Sequence, residues 1–290
     1  MPETLSFVKV EGLGNDFVLL DLLKNSSGKS PGDYPSLVRT LCDRHFGVGA
    51  DGLLLLLPSD AADFRMRIFN SDGSEAQMCG NGIRCLAGYI YSEKLTEKKV
   101  FAIETQGGLK EVLIAATSPV PEVEVNMGVP ALLGMNEDCS WKSIPLNEAG
   151  NHPHETVFEA EGLPSFAGTA VSMGNPHFVL FVDSLDDIPL RAWGPAIEKH
   201  PLFPEGTNVE FCAVEEGKIR LMVWERGAGE TLACGTGACA AFAAAFIRGL
   251  TGREAEVQLP GGSLFIHLLD DGSLLMRGPA REVFRGDFLL

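Results

Sequence analysis

The chain has 290 residues, 45% of them hydrophobic and 21% charged, the proportions of a globular protein long enough for about two domains. A net charge of −16 argues against nonspecific binding to nucleic acid or to an anionic membrane surface. No apolar run approaches the roughly 18 residues of a membrane-spanning helix. Seven cysteines without a compact framework fit a reducing compartment, and the N-terminus lacks a signal peptide's basic and apolar segments, so the sequon Asn25-Ser26-Ser27 is read as coincidence.

In chain order, Leu5–Val10 alternates as a strand, and Phe17–Leu22 and Leu53–Leu57 are short apolar strands. The segment Gly47-Val48-Gly49-Ala50-Asp51-Gly52 matches G-x-G-x-x-G but precedes a strand instead of opening a helix, so it does not read as a dinucleotide site. Met66–Phe69 is a strand leading to a loop and then a helix, where Ile83, Leu86, Ala87 and Ile90 recur on one face. Thr117-Ser118-Pro119-Val120-Pro121 marks a boundary between halves. In the second half Ile219–Trp224 is a strand, and Ala238–Ile247 is a helix apolar almost all round that ends at Gly249. Val257–Leu259, Ser263–Leu268 and Ser273–Met276 follow as strands joined by turns at Pro260-Gly261-Gly262 and Asp270-Asp271-Gly272.

Both helices open on the same pattern, Cys79-Gly80-Asn81-Gly82 and Cys234-Gly235-Thr236-Gly237. A thiol at a helix start meets free backbone N–H groups and the positive end of the helix dipole, which favour thiolate. The frames match beyond the cysteines: Asn70 precedes Cys79 by nine residues and Glu225 precedes Cys234 by nine, and Gly14-Asn15-Asp16-Phe17 parallels Gly174-Asn175-Pro176-His177. Two halves of similar α+β architecture, one thiol in each, are therefore expected, with domains at 1–120 (completed by 279–290) and 121–278. Cys42, Cys139 and Cys212 read as small buried hydrophobes, and Cys85 and Cys239 as helix packing. No Cys-x-x-Cys occurs and the six histidines show no metal-ligand spacing, so no metal site is expected; His152 and His154 read as exposed loop residues. His177 stands apart because it lies in one of the paired frames.

These segments, together with Gly12-Leu13-Gly14-Asn15-Asp16-Phe17, Arg44–Gly52, Asn70–Glu75, Gly206-Thr207-Asn208 and Glu225–Gly237, closely resemble the diaminopimelate epimerase family of pyridoxal-independent amino-acid epimerases. The resemblance spans almost the whole chain. It implies two pseudo-symmetric domains, each a barrel-like sheet around a central helix, with the active site in the cleft between them. It implies Cys79 and Cys234 as the acid/base pair, with His177 and Glu225 in support and no cofactor. Substrate contacts would fall to Asn15, Asn70, Gly80, Asn81, Asn175, Asn208, Glu225, Arg226, Gly235 and Thr236. Some relatives carry a glutamine where Gly52 stands, a contact this chain lacks. The implied activity interconverts LL- and meso-diaminopimelate in lysine and peptidoglycan-precursor synthesis, in the cytoplasm or a plastid stroma. The implied assembly is a homodimer with Phe284 in its interface. Alternatives are a same-fold racemase of another amino acid such as histidine, a non-catalytic binder, and a thiol-redox protein. Asn81, where proline racemase-like enzymes typically carry histidine, disfavours the proline branch.

Overall fold

Strand pairing follows one scheme twice. The computed structural model describes residues 4–23, 33–135, 141–146, 155–159 and 163–289, so Cys139, the sequon at Asn25 and the pair His152 and His154 lie outside the described residues. It divides into two compact units, Met1–Val125 with Arg277–Leu290, and Asn126–Met276.

In the first unit Thr4–Gly12 pairs antiparallel with Asn15–Asp21. The chain crosses through helix α1 (Tyr34–Cys42) to Gly52–Leu57, which lies parallel to Asn15–Asp21, and returns antiparallel as Phe64–Asn70. The short strand Glu75–Ala76 leads to helix α2 (Gly80–Ser92), then Val100–Thr105 pairs parallel with Phe64–Asn70 and antiparallel with Gly108–Ala116. The second unit repeats each step. Phe166–Ser172 and Pro176–Phe181 are antiparallel, helix α3 (Leu190–Glu198) crosses to the parallel strand Asn208–Glu215, and Lys218–Glu225 returns. Gly229–Thr231, helix α4 (Gly235–Ile247), Glu254–Leu259 and Gly262–Leu268 complete the series in the same order and sense. The C-terminal strand Arg281–Leu289 pairs with Thr4–Gly12.

Side-chain parity on these strands decides which helix each residue meets. The run Leu53–Leu56 is buried on both faces: Leu53 and Leu55 join Leu37, Val38 and Leu41 of α1, while Leu54 points to the start of α2. Its continuous apolar sequence is what a parallel strand covered on both sides requires. In the second unit Phe178, Leu180, Val209 and Phe211 pack with Leu190 and Ile197 of α3, leaving His177 and Glu210 on the face that meets α4.

Helix α2 packs against Thr4–Gly12, Asn15–Asp21, Gly52–Leu57 and Phe64–Asn70, and α4 against the equivalent four strands of its own unit. The sheet curves about each helix as the barrel-like expectation has it, but its pairings run as an open series and do not close into a ring. Helix α4 is the tighter fit, with Ala238, Ala240, Ala241, Ala243, Ala244 and Ala245 all buried. Small residues there let the strands approach the helix from every side. Ala241→Leu should consequently cost about 1–3 kcal/mol through overpacking, read as a lower urea midpoint at unchanged slope.

Candidate active site

Each of the two predicted thiols is the N-cap of its helix. Cys79 Sγ accepts the Gly82 N–H at 3.4 Å, and Cys234 Sγ accepts the Gly237 N–H at 3.3 Å. Both cap residues have extended backbone, which turns the sulfur back over the open N–H groups of the first turn. The glycine three residues on leaves room for packed neighbours. A Cβ at Gly82 would stand 3.0 Å from Leu54 Cδ2, and one at Gly237 would stand 2.9 Å from Glu210 Oε1 and 3.2 Å from Cys234 Sγ.

Around Cys79 the groups are neutral amides and a buried cation. Asn15 Oδ1 accepts from Asn81 Nδ2 at 3.1 Å and lies 3.8 Å from Cys79 Sγ. Asn15 Nδ2 donates to Asp51 at 2.8 Å, and Asn81 Oδ1 accepts from Arg84 at 3.0 Å. Arg84 is fully buried and also donates to the carbonyls of Gly80 and Pro279. Asp51 belongs to a network in which Arg44 bridges Asp16 and Asp51, each at 2.7 Å, and Lys9 meets Asp16 at 2.5 Å. Burial works against the Asp16 carboxylate, but hydrogen bonds from Arg44 and Lys9 hold it below its ordinary range. Asn70 ends its strand on the parity of Phe64, Met66 and Ile68 and donates to Ser74.

Around Cys234 the groups are acidic. Glu225 ends its strand on the parity of Ile219, Leu221 and Val223, the buried face, and is hydrogen-bonded by the Thr231 hydroxyl at 2.6 Å and by the Cys234 thiol. His177 Nδ1 lies 2.6 Å from Glu210 Oε1, and its Nε2 lies 3.1 Å from Asn175 Oδ1. Asn175 Nδ2 donates to Thr236 Oγ1 at 3.4 Å, and that oxygen is 3.5 Å from Cys234 Sγ. Burial pushes the Cys234 thiol well above its ordinary range, and the carboxylates of Glu225 and Glu210 push it further. Thr236 and the Gly237 N–H oppose that shift without reversing it. Cys234 is thus held as the thiol near neutral pH. Burial likewise raises the carboxyls of Glu225 and Glu210. Burial also raises the thiols of Cys42, pushed up to about 11, Cys85, to about 12, and Cys212.

Two expected contact residues have their polar atoms engaged within the second unit. Asn208 donates to the Pro176 carbonyl at 2.7 Å and accepts the Arg226 N–H at 3.0 Å, and the Arg226 guanidinium donates to the Glu205 carbonyl. Gly80, Gly235 and Thr236 lie in the first turns of α2 and α4. Sequence reading missed Arg84 and Glu210. Each is a charge set inside an apolar run, Ile83 to Ile90 and Val209 to Val214, and that interruption was the available signal.

The fold is one that solved epimerases and other enzymes share. A hydroxyproline epimerase from Agrobacterium vitis superposes with a TM-score of 0.71 at 16% identity, covering 100% of this chain and 94% of that one. A phenazine biosynthesis protein of the PhzF family from Bacillus anthracis superposes at 0.69 and 18% identity, covering 99% and 100%. Such low identity shows the shared fold alone. Sequence similarity is far closer to diaminopimelate epimerases, those of Desulfitobacterium hafniense (48% over 287 residues, 98% of each chain) and Moorella thermoacetica (48% over 289 residues, 99% and 100%). The diaminopimelate epimerase family model matches residues 7–133 and 169–283, and the chain belongs to that family. It is an isomerase.

The raised Glu225 carboxyl has a stability consequence with a definite sign. Its folded value lies above the ordinary value of 4.5, so its contribution is complete at acid pH and is lost as pH rises through the folded value. Glu225→Gln cannot ionise. Its unfolding free energy relative to the native chain should rise as pH increases above the ordinary value of 4.5 in urea titrations. A variant that instead falls behind as pH rises would show that the carboxylate is stabilised where it lies.

Proposed function

We propose that the protein interconverts LL- and meso-diaminopimelate by proton transfer at one α-carbon, with Cys79 and Cys234 as the two acid/base groups. The observation that carries this reading is the repeated thiol N-cap, one on the central helix of each compact unit. The proposed domains, 1–120 with 279–290 and 121–278, would each be an epimerase half. Inversion needs a base on one face of the carbon and an acid on the other, because a single group returns the proton to the side it came from. Cys79 among amides and a cation, and Cys234 held as a thiol among carboxylates, suit the two roles in the free enzyme.

The α-hydrogen is a weak acid, so the developing enolate needs fixed donors. First-turn N–H groups around Gly80–Asn81 and Gly235–Thr236 would supply them, each donor of that kind being worth about 3–4 kcal/mol. Glu225, hydrogen-bonded to Cys234, would take and return the thiol proton, with His177 beside it in support. Asn15, Asn70, Asn81, Asn175, Asn208 and Arg226 are the proposed holders of the distal amino-acid head. For Asn208 and Arg226 this requires exchange of the intramolecular bonds described above. No cofactor enters the scheme. The expected setting is the cytoplasm; among the described residues no helix is long and apolar enough to cross a membrane.

Cys79→Ala and Cys234→Ala should each lower turnover of LL-diaminopimelate by at least about 100-fold while leaving the unfolding midpoint near native. In heavy water the native enzyme should label one α-carbon per molecule; labelling at both would refute selectivity for one centre. Turnover of L-histidine in preference to diaminopimelate would favour the alternative racemase.

The partner is proposed to be a second copy of the chain. Phe284 is 47% exposed and Val283 52% exposed on the C-terminal strand. Phe284→Arg should convert a dimeric mass in light scattering to a monomeric one, and an unchanged mass would remove that strand from the interface.

A further inference from the structure

The repeat supplies an internal control for one buried pair. In the first unit the parallel strands register Phe17 against Gly52, with Leu54 two residues on, facing the start of α2. In the second unit the matching register is His177 against Asn208, with Glu210 two residues on, facing the start of α4. An apolar pair, Phe17 and Leu54, thus occupies the place where the other unit has His177 and Glu210, and all four side chains are buried. Packing alone is satisfied by the apolar pair. A fully buried acid whose Oε2 makes no hydrogen bond is costly by comparison.

The hydrogen-bond directions show what the acid does. An amide oxygen can only accept, so the contact of His177 Nε2 with Asn175 Oδ1 places a hydrogen on Nε2. The other ring nitrogen faces Glu210 Oε1 at 2.6 Å, where ring and carboxyl share a further hydrogen. With its oxygen so engaged, Asn175 must present its NH₂ to Thr236 Oγ1, which leaves the Thr236 hydroxyl hydrogen free to point at Cys234 Sγ. The partner of one ring nitrogen sets the state of the other.

We propose that Glu210 is a positioning residue: by fixing His177 it orients Asn175 and Thr236 so that the Thr236 hydroxyl is held against Cys234 Sγ. This goes beyond the proposed epimerase reading and rests on it for the role of Cys234. Glu210 itself is screened from substrate by the first turn of α4, where only a glycine at 237 leaves room for its carboxyl.

Two measurements test the proposal. In long-range nitrogen–proton NMR spectra of the native enzyme without substrate, His177 Nε2 should be protonated; a bare Nε2 overturns the proposal whatever the variants do. Glu210→Gln keeps the side chain's shape but not its acid, and it should lower kcat at least about tenfold with KM within about twofold. Thr236→Val should lower kcat too, and adding Glu210→Gln to it should cost little more, because both act through one hydroxyl. Additive losses, or a folded Glu210→Gln enzyme with native kcat, would overturn the proposal. Should Glu210→Gln fail to fold, the native spectrum still decides. An active Cys234→Ala enzyme would instead sink the two-thiol reading, a result separate from the His177 spectrum.

Discussion

The thiol at the N-cap of a buried helix is the constraint from which the rest of each unit follows. In each unit the sulfur accepts an N–H of the first turn, and the residue three on is a glycine whose Cβ would crowd Leu54 at position 82 and Glu210 at position 237. The helix must also be surrounded, because only exclusion of water makes its terminal N–H groups strong donors. The strands packed about each helix, with small residues on α4, provide that exclusion. The parallel crossings through α1 and α3 bury the other face of the same strands, so strands and helix hold each other in place.

Equal caps stand in unequal surroundings. In the first unit the sulfur has the amide of Asn15 beside it, Asn81 and then Arg84 follow in the same chain of hydrogen bonds, and the residues beneath the cap are apolar. In the second, burial raises the thiol, Glu225 and Glu210 raise it further, and it stays protonated. One scaffold thus carries two local patterns, amides beside the first cap and carboxylates beside the second. Asymmetry of this kind costs stability. Two raised, buried carboxyls contribute less at neutral pH than apolar residues would, and the protein retains them where the chemistry is proposed to occur.

Much of this was legible in the chain. Spacing of Asn70 to Cys79 and of Glu225 to Cys234 marked the repeat, and the structure shows why: in both, the residue nine before the cysteine ends a strand that packs on the helix the cysteine opens. Leucines 53 to 56 announced a doubly covered strand, and the alanines after Cys234 a helix buried all round. What escaped was each residue whose role depends on a partner distant in sequence. Glu210 meets His177 from a neighbouring strand 33 positions away, and Arg84 reaches the carbonyl of Pro279 across 195. A lone charge in an apolar run hints at such a partner without naming it. Asn208 and Arg226 bond to each other and to the carbonyls of Pro176 and Glu205, partners set by the fold and not by spacing in the chain.

By itself the sequence determined the periodicities, the glycines and the duplicated Cys-Gly-x-Gly. These depend on local backbone geometry and on which faces must be apolar, so family, repeat and thiols can be read from it. Only the tertiary structure decided the electrostatic character of each thiol. Burial and the approach of Glu210, Glu225 and Arg84 are products of strand register and helix packing, and a shift of one residue in register would turn Glu210 and Glu225 to the other face of the sheet. The two cysteines are alike in the chain and become different in the fold, because the strength and sign of a charge's effect depend on where the folded strands place it.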